Sequence, residues 1–163
     1  MSLLEMVQWM QHTSFSADLR ETLWFPAIET VHVIGIAFVL GTAGILDLRL
    51  IGAILKKLPV SAVHEQLLPL TWVGFAAMFS SGIFLVLSEP LKCYNSGYAW
   101  TKLVLLILAG LNALAFERGI YTRIAEWDNS SETPFRAKLA GYFSLVLWVG
   151  IVAAGRAIAY VTL

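Results

Sequence analysis

From Val31 to Leu46 the chain reads VHVIGIAFVLGTAGIL, an apolar run broken by one ionisable side chain, His32. A helix needs about 20 mostly apolar residues to cross a bilayer, and this run extends on both sides, from about Pro26 to Lys56. Three further runs share its character. Leu67 to Ser88 carries no charge, the run after Tyr98 opens on Lys102, and the last one holds Arg156 in its interior. None shows the alternation over about ten residues that marks a barrel strand. In lipid the backbone must satisfy its own hydrogen bonds, which leaves helices.

The sequence therefore predicts an all-α integral membrane protein, a four-helix transmembrane bundle forming one domain over residues 1–163. The spans are expected at 26–56, 61–88, 98–123 and 135–162. Residues 1–25 read as an interfacial amphipathic helix and a linker. Leu3, Leu4, Met6, Val7, Trp9 and Met10 form its apolar side, in a segment too short to span. Ser16 is expected to cap a short second turn, and Trp24, Phe25 and Pro26 mark an interface and a helix start. The opening residues lack a basic stretch and a small-residue cleavage site, so they do not read as a signal peptide.

Composition supports this reading. Charged residues are 13% of the chain, about half the share usual in soluble domains. The formal net charge of +0 argues against nucleic-acid binding, which needs a clustered basic face. A single cysteine, Cys93, excludes an intrachain disulfide and any cysteine-based zinc or iron–sulfur motif. Lysines and arginines divide seven to three between the two sides of the spans, leaving Arg156 aside. The richer side holds Arg49, Lys56, Lys57, Arg118, Arg123, Arg136 and Lys138. The positive-inside rule puts that side in the cytoplasm of a bacterial inner membrane and both termini in the periplasm.

This topology brings candidate functional groups to one depth. His32, Lys102 and Arg156 all fall within about 10 Å of the outer boundary at 1.5 Å rise per residue. Glu29 lies one turn above His32, and Glu89 ends the second span. Ionisable groups inside a membrane are paired, liganded or functional. Neutral imidazole is a common axial ligand of haem iron, and Lys102 and Arg156 can pair with haem propionates. His12 and Met78 are the candidates for a second ligand. Gly35, Gly41 and Gly44, with Gly74 and Gly150, either pack helices closely or leave room for a flat cofactor. His64 reads as an interfacial pair with Glu65. Asp47, Arg49, Glu117 and Arg118 read as an ion-pair layer at the inner side. Copper held by His32, Met78 and Cys93 or His12 is the alternative metal, since soft sulfur ligands favour Cu(I). A cofactor-free membrane subunit is the third possibility.

The segments TVHVIGIAFVLGTAGILDLRLIG, LLPLTWVGFAAMFSSGIFLVL and GYAWTKLVLLILAGLNAL resemble the small haem-binding membrane proteins of the HemJ-type protoporphyrinogen oxidase group. More loosely they resemble the copper-resistance CopD membrane domain. The likeness covers about Thr30 to Ala115. It implies haem b as cofactor, His32 as its ligand, Lys102 as an essential lysine and Arg49 as the arginine that follows. The third span departs from that pattern, with Asn112 and Phe116 where histidine or other polar groups are expected. The layout with DLRLIG also resembles a group of small uncharacterised bacterial membrane proteins. The expected activity is electron transfer or haem-dependent redox chemistry near the periplasmic face. The expected partners are the lipid bilayer, a quinone or periplasmic redox protein, and a second copy of the chain.

Overall fold

The computed structural model describes residues 2–128, 130 and 132–160. All regular structure among them is helical. The first helix, α1 (Leu3–Gln11), starts in a capping box. Ser2 N–H donates to Glu5 Oε2 at 2.8 Å, and Glu5 N–H donates to Ser2 Oγ at 3.3 Å. A second helix, α2 (Ser14–Glu21), follows where the sequence suggested one turn. Thr13, not Ser16, caps it, accepting from Ser16 N–H at 3.2 Å. Ser16 is buried because its hydroxyl has a different task. It donates to Ser88 O at 3.2 Å, and Arg20 Nη1 donates to the same oxygen at 3.3 Å. Ser88 is the last residue of a long helix, whose final carbonyls lack partners of their own.

The first spanning helix is α3 (Trp24–Leu50), shorter than the expected 26–56 at its far end. Gly52, with φ +78, stops it. Gly52 N–H bonds Arg49 O at 3.1 Å and Ala53 N–H bonds Leu48 O at 2.9 Å. That pair of bonds is a Schellman motif, which needs the left-handed conformation that glycine adopts without strain. Pro59 opens α4 (Val60–Ser88). A short α5 (Pro90–Asn95) leads to α6 (Gly97–Ala115). That helix runs on through a π turn at Phe116–Ile120, a 3-10 turn at Tyr121–Arg123 and α7 (Ile124–Trp127). The last element is α8 (Phe135–Ile158); the expected end at 162 lies outside the described residues.

Among the described residues, four stretches are long and apolar enough to cross a membrane: α3, α4, the continuous Gly97–Trp127 and α8. They stand in the order α4, α3, α8, α6, with α3 against both α4 and α8. The closest pairing, α3 with α4, depends on missing side chains. A Cβ on Gly35 would stand 2.7 Å from Met78 N, and one on Gly74 would stand 2.7 Å from Phe38 Cβ. Thr71 Oγ1 donates to Thr42 Oγ1 at 2.8 Å lower in the same seam. Gly41 and Gly44 do not share this role, since nothing lies within 4 Å of either Cβ position. Leu50, Val60, Phe116 and Ala137 form a buried core where all four spans converge at the end that carries the α3–α4 loop. The opposite end is crossed by α1, α2 and α5, tied by Leu91 N–H to Gln11 Oε1 at 3.3 Å. Outward positions such as Val73, Leu111 and Val146 are apolar and exposed. That surface suits lipid, and the protein is a multi-pass helical membrane protein.

Candidate functional site

Two polar layers interrupt the apolar interior, one at each end of the α3–α4 hairpin. The first surrounds His32. The antiparallel register that sets Gly35 against Met78 also sets His32 against Ser81 and Gly82. Its Nδ1 lies 2.9 Å from Met78 O and 3.0 Å from Ser81 Oγ. A carbonyl oxygen only accepts, so Nδ1 must carry the proton. The Ser81 hydroxyl donates to Ala77 O one turn back and receives the imidazole N–H on its lone pair. Nε2 then holds the free lone pair of the neutral ring. It has no hydrogen-bond partner among the described residues and is not sealed from outside. Glycine at 82 makes the ring's position possible, since a Cβ there would meet His32 Cε1 at 3.2 Å.

The other expected members of this layer are only partly brought together. Lys102 is half-buried, and its Nζ lies against Gly155 of α8, 3.2 Å from where a Cβ would stand. Lys102 and Glu29 lie within electrostatic reach of the His32 ring. Glu29 itself is exposed. Arg156 is also exposed on α8 and pairs with no carboxylate among the described residues, so the expected ion pair with Glu29 or Glu89 does not form. Glu89 pairs with Lys92 at 3.3 Å instead. His12 is exposed at the end of α1. Met78 meets His32 through its carbonyl, on the Nδ1 side of the ring and away from Nε2. Cys93 is a half-buried free thiol in α5. Burial pushes that thiol up, with the Glu89 carboxylate adding to the effect, while Lys92 and Lys102 pull the other way.

The second layer overturns two expectations. His64 does not pair with Glu65, its exposed neighbour. It is buried, and its Nε2 donates to Glu117 Oε1 at 2.7 Å. Its ring lies 4.2 Å from that of Tyr121, and its Nδ1 is buried without a partner. The π turn sets this arrangement. Widening the helix there sends Phe116 into the core while Glu117 and Tyr121 both meet His64. Such turns are rare in helices and frequent at functional sites.

The expected ion-pair layer of Asp47, Arg49, Glu117 and Arg118 does not form among the described residues. Asp47 is buried with Oδ2 unpartnered. Arg49 is buried too, and it donates to Leu58 O at 2.9 Å and to Thr133 Oγ1 at 3.3 Å. Arg118 is exposed. The reason is rotational: positions 47 and 49 lie two residues apart on one helix and face different neighbours. Sequence reading took Ser81 only as a small residue for close helix packing and missed Gly82, although a serine pair followed by glycine inside an apolar run was a visible sign. Asp128 was missed as well. Its carboxylate accepts from Ser61 N–H at 3.1 Å and from the Ser61 hydroxyl, capping α4 from a distant loop.

Fold and layers together define a multi-pass helical membrane protein whose central hairpin holds one hydrogen-bonded histidine near each end. Within that class the chain belongs to the family described as a family of unknown function (DUF6644), which matches residues 11–161. No curated protein and no solved structure matches it.

Proposed function

We propose that this chain is a b-type haem-binding protein of the bacterial inner membrane, active in electron transfer or redox chemistry near the periplasmic face. The observation that carries the reading is the His32 Nδ1–H bond to Met78 O at 2.9 Å. Metal-binding histidines typically donate one ring N–H to a carbonyl or carboxylate, which fixes the ring and directs the other nitrogen at the metal. The Nε2 of His32 meets that description. Haem needs only this one protein nitrogen and would supply one-electron iron chemistry. Lys102 is the cation placed to meet a propionate, and Arg156 and Glu29 lie at the exposed rim of the same layer.

Copper is less well served. No three histidine, cysteine, aspartate or glutamate groups stand together among the described residues, and the contact Met78 makes with His32 is through its backbone carbonyl. His12 is exposed on α1, and an iron position left open would favour catalysis over simple electron transfer. The lysine and arginine bias supports a topology with the His64 end in the cytoplasm and the termini in the periplasm.

The test is the visible spectrum of protein purified from haem-replete cells. A Soret band is expected that is lost in His32→Ala and retained at lower haem occupancy in Lys102→Gln. A colourless wild-type protein, or a band unchanged in His32→Ala, overturns the reading.

A further inference from the structure

Arg49 poses a problem of charge. It sits in the last turn of α3 and is only 7% exposed. Its two protein partners, Leu58 O and Thr133 Oγ1, are neutral. No carboxylate among the described residues lies within ion-pair distance. The carbonyls ending α3 offer a partial charge of about −0.5, which leaves much of the guanidinium uncompensated. A buried charge in that position is strongly destabilising unless something answers it.

The surroundings indicate what answers it. Nη2 has no hydrogen-bond partner among the described residues and is not sealed from outside. The α3–α4 loop brings exposed Lys56 and Lys57 to the same end, and the start of α8 brings exposed Arg136. Thr133 Oγ1 accepts from Arg49 and keeps its own O–H to donate. The guanidinium fork matches phosphate oxygens. Beside this end an apolar groove of about 180 Å³ runs between α6 and α8, lined by Phe116, Leu139 and Phe143 with Arg136 at its head. Basic pockets between spanning helices are a known setting for anionic headgroups, and the groove offers a place for an acyl chain.

We propose that Arg49, with the Thr133 hydroxyl, binds a phosphate group at the His64 end, supplied by an anionic phospholipid. The site is independent of the haem reading, since it lies at the opposite end of α3.

The test uses the full chain in detergent micelles, titrated with phosphatidylglycerol, phosphatidylcholine or inorganic phosphate while the melting midpoint is followed. Phosphatidylglycerol is expected to raise the midpoint more than phosphatidylcholine does, and Arg49→Gln to abolish the difference. Lys92→Gln, a charge at the opposite end of the bundle, leaves it in place. Stabilisation by inorganic phosphate alone keeps the phosphate chemistry and moves its source from lipid to solute. Should Arg49→Gln fail to fold, Arg49→Lys decides. It keeps the charge but loses the fork, and it is expected to bind phosphatidylglycerol roughly tenfold more weakly, the loss of one charge-assisted hydrogen bond. Equal stabilisation by both lipids, or equal affinity in Arg49→Lys, overturns the proposal.

Discussion

His32 shows how much one proton's position can decide. Because Met78 O can only accept, the imidazole is held as the Nδ1–H tautomer and Nε2 is left for a ligand. Ser81→Ala removes one of the two acceptors and leaves the carbonyl bond. On the haem proposal, it should keep the Soret band and loosen the ring, measured as a small loss of haem affinity. Cys93 offers a test unrelated to the haem proposal. Burial and Glu89 hold its thiol above the ordinary range, so the thiolate is scarce at neutral pH. Because only the thiolate is nucleophilic, alkylation should be slow at neutral pH and accelerate as pH rises past the usual thiol range. Glu89→Gln should speed it, read as the maleimide labelling rate. Unchanged labelling in that variant would show that the carboxylate does not govern the thiol.

At the scale of elements, close approach and helix ends govern stability. Gly35 lets α3 lie against the α4 backbone, and a methyl there would stand 2.7 Å from Met78 N. Gly35→Ala should therefore destabilise by about 1–3 kcal/mol, as overpacking does. Gly41→Ala on the same helix meets nothing within 4 Å. It should shift stability by less than about 0.5 kcal/mol, the usual range for open surface sites. Chemical denaturation of both variants compares the two, and equal effects would contradict the described register of α3 and α4. The start of α4 depends on a remote cap. Pro59 provides no side-chain cap, and Asp128 takes that place on Ser61 N–H. Asp128→Ala should cost about 1 kcal/mol, the typical worth of an N-cap. The end of α3 was legible from Gly52, a glycine just past a periodic run with lysines beyond. Taking the residues up to Lys56 as a polar extension of the helix, ended by Leu58-Pro59, overlooked that signal.

For the whole molecule, orientation is the remaining consequence of the charge pattern. In a Cys93→Ser background, Lys57→Cys should be protected from membrane-impermeant maleimide in intact cells, and Gly97→Cys should react. The reverse pattern would invert the topology and move the His32 layer to the cytoplasmic side. What residue order alone determined was the number, type and approximate extent of the spans, because hydropathy and length are properties of a segment taken by itself. It also marked His32 and Lys102 as costly groups at a shared depth. The partners were decided only by tertiary structure. His64 lies next to Glu65 in the chain yet bonds Glu117, brought to it by a π turn on another span. Arg49 turns from Asp47 toward two loops, and Arg156 faces outward at the right depth. Depth follows from counting along a helix, whereas contact depends on each helix's rotation and on which neighbour it meets, and those are set by packing across the whole bundle.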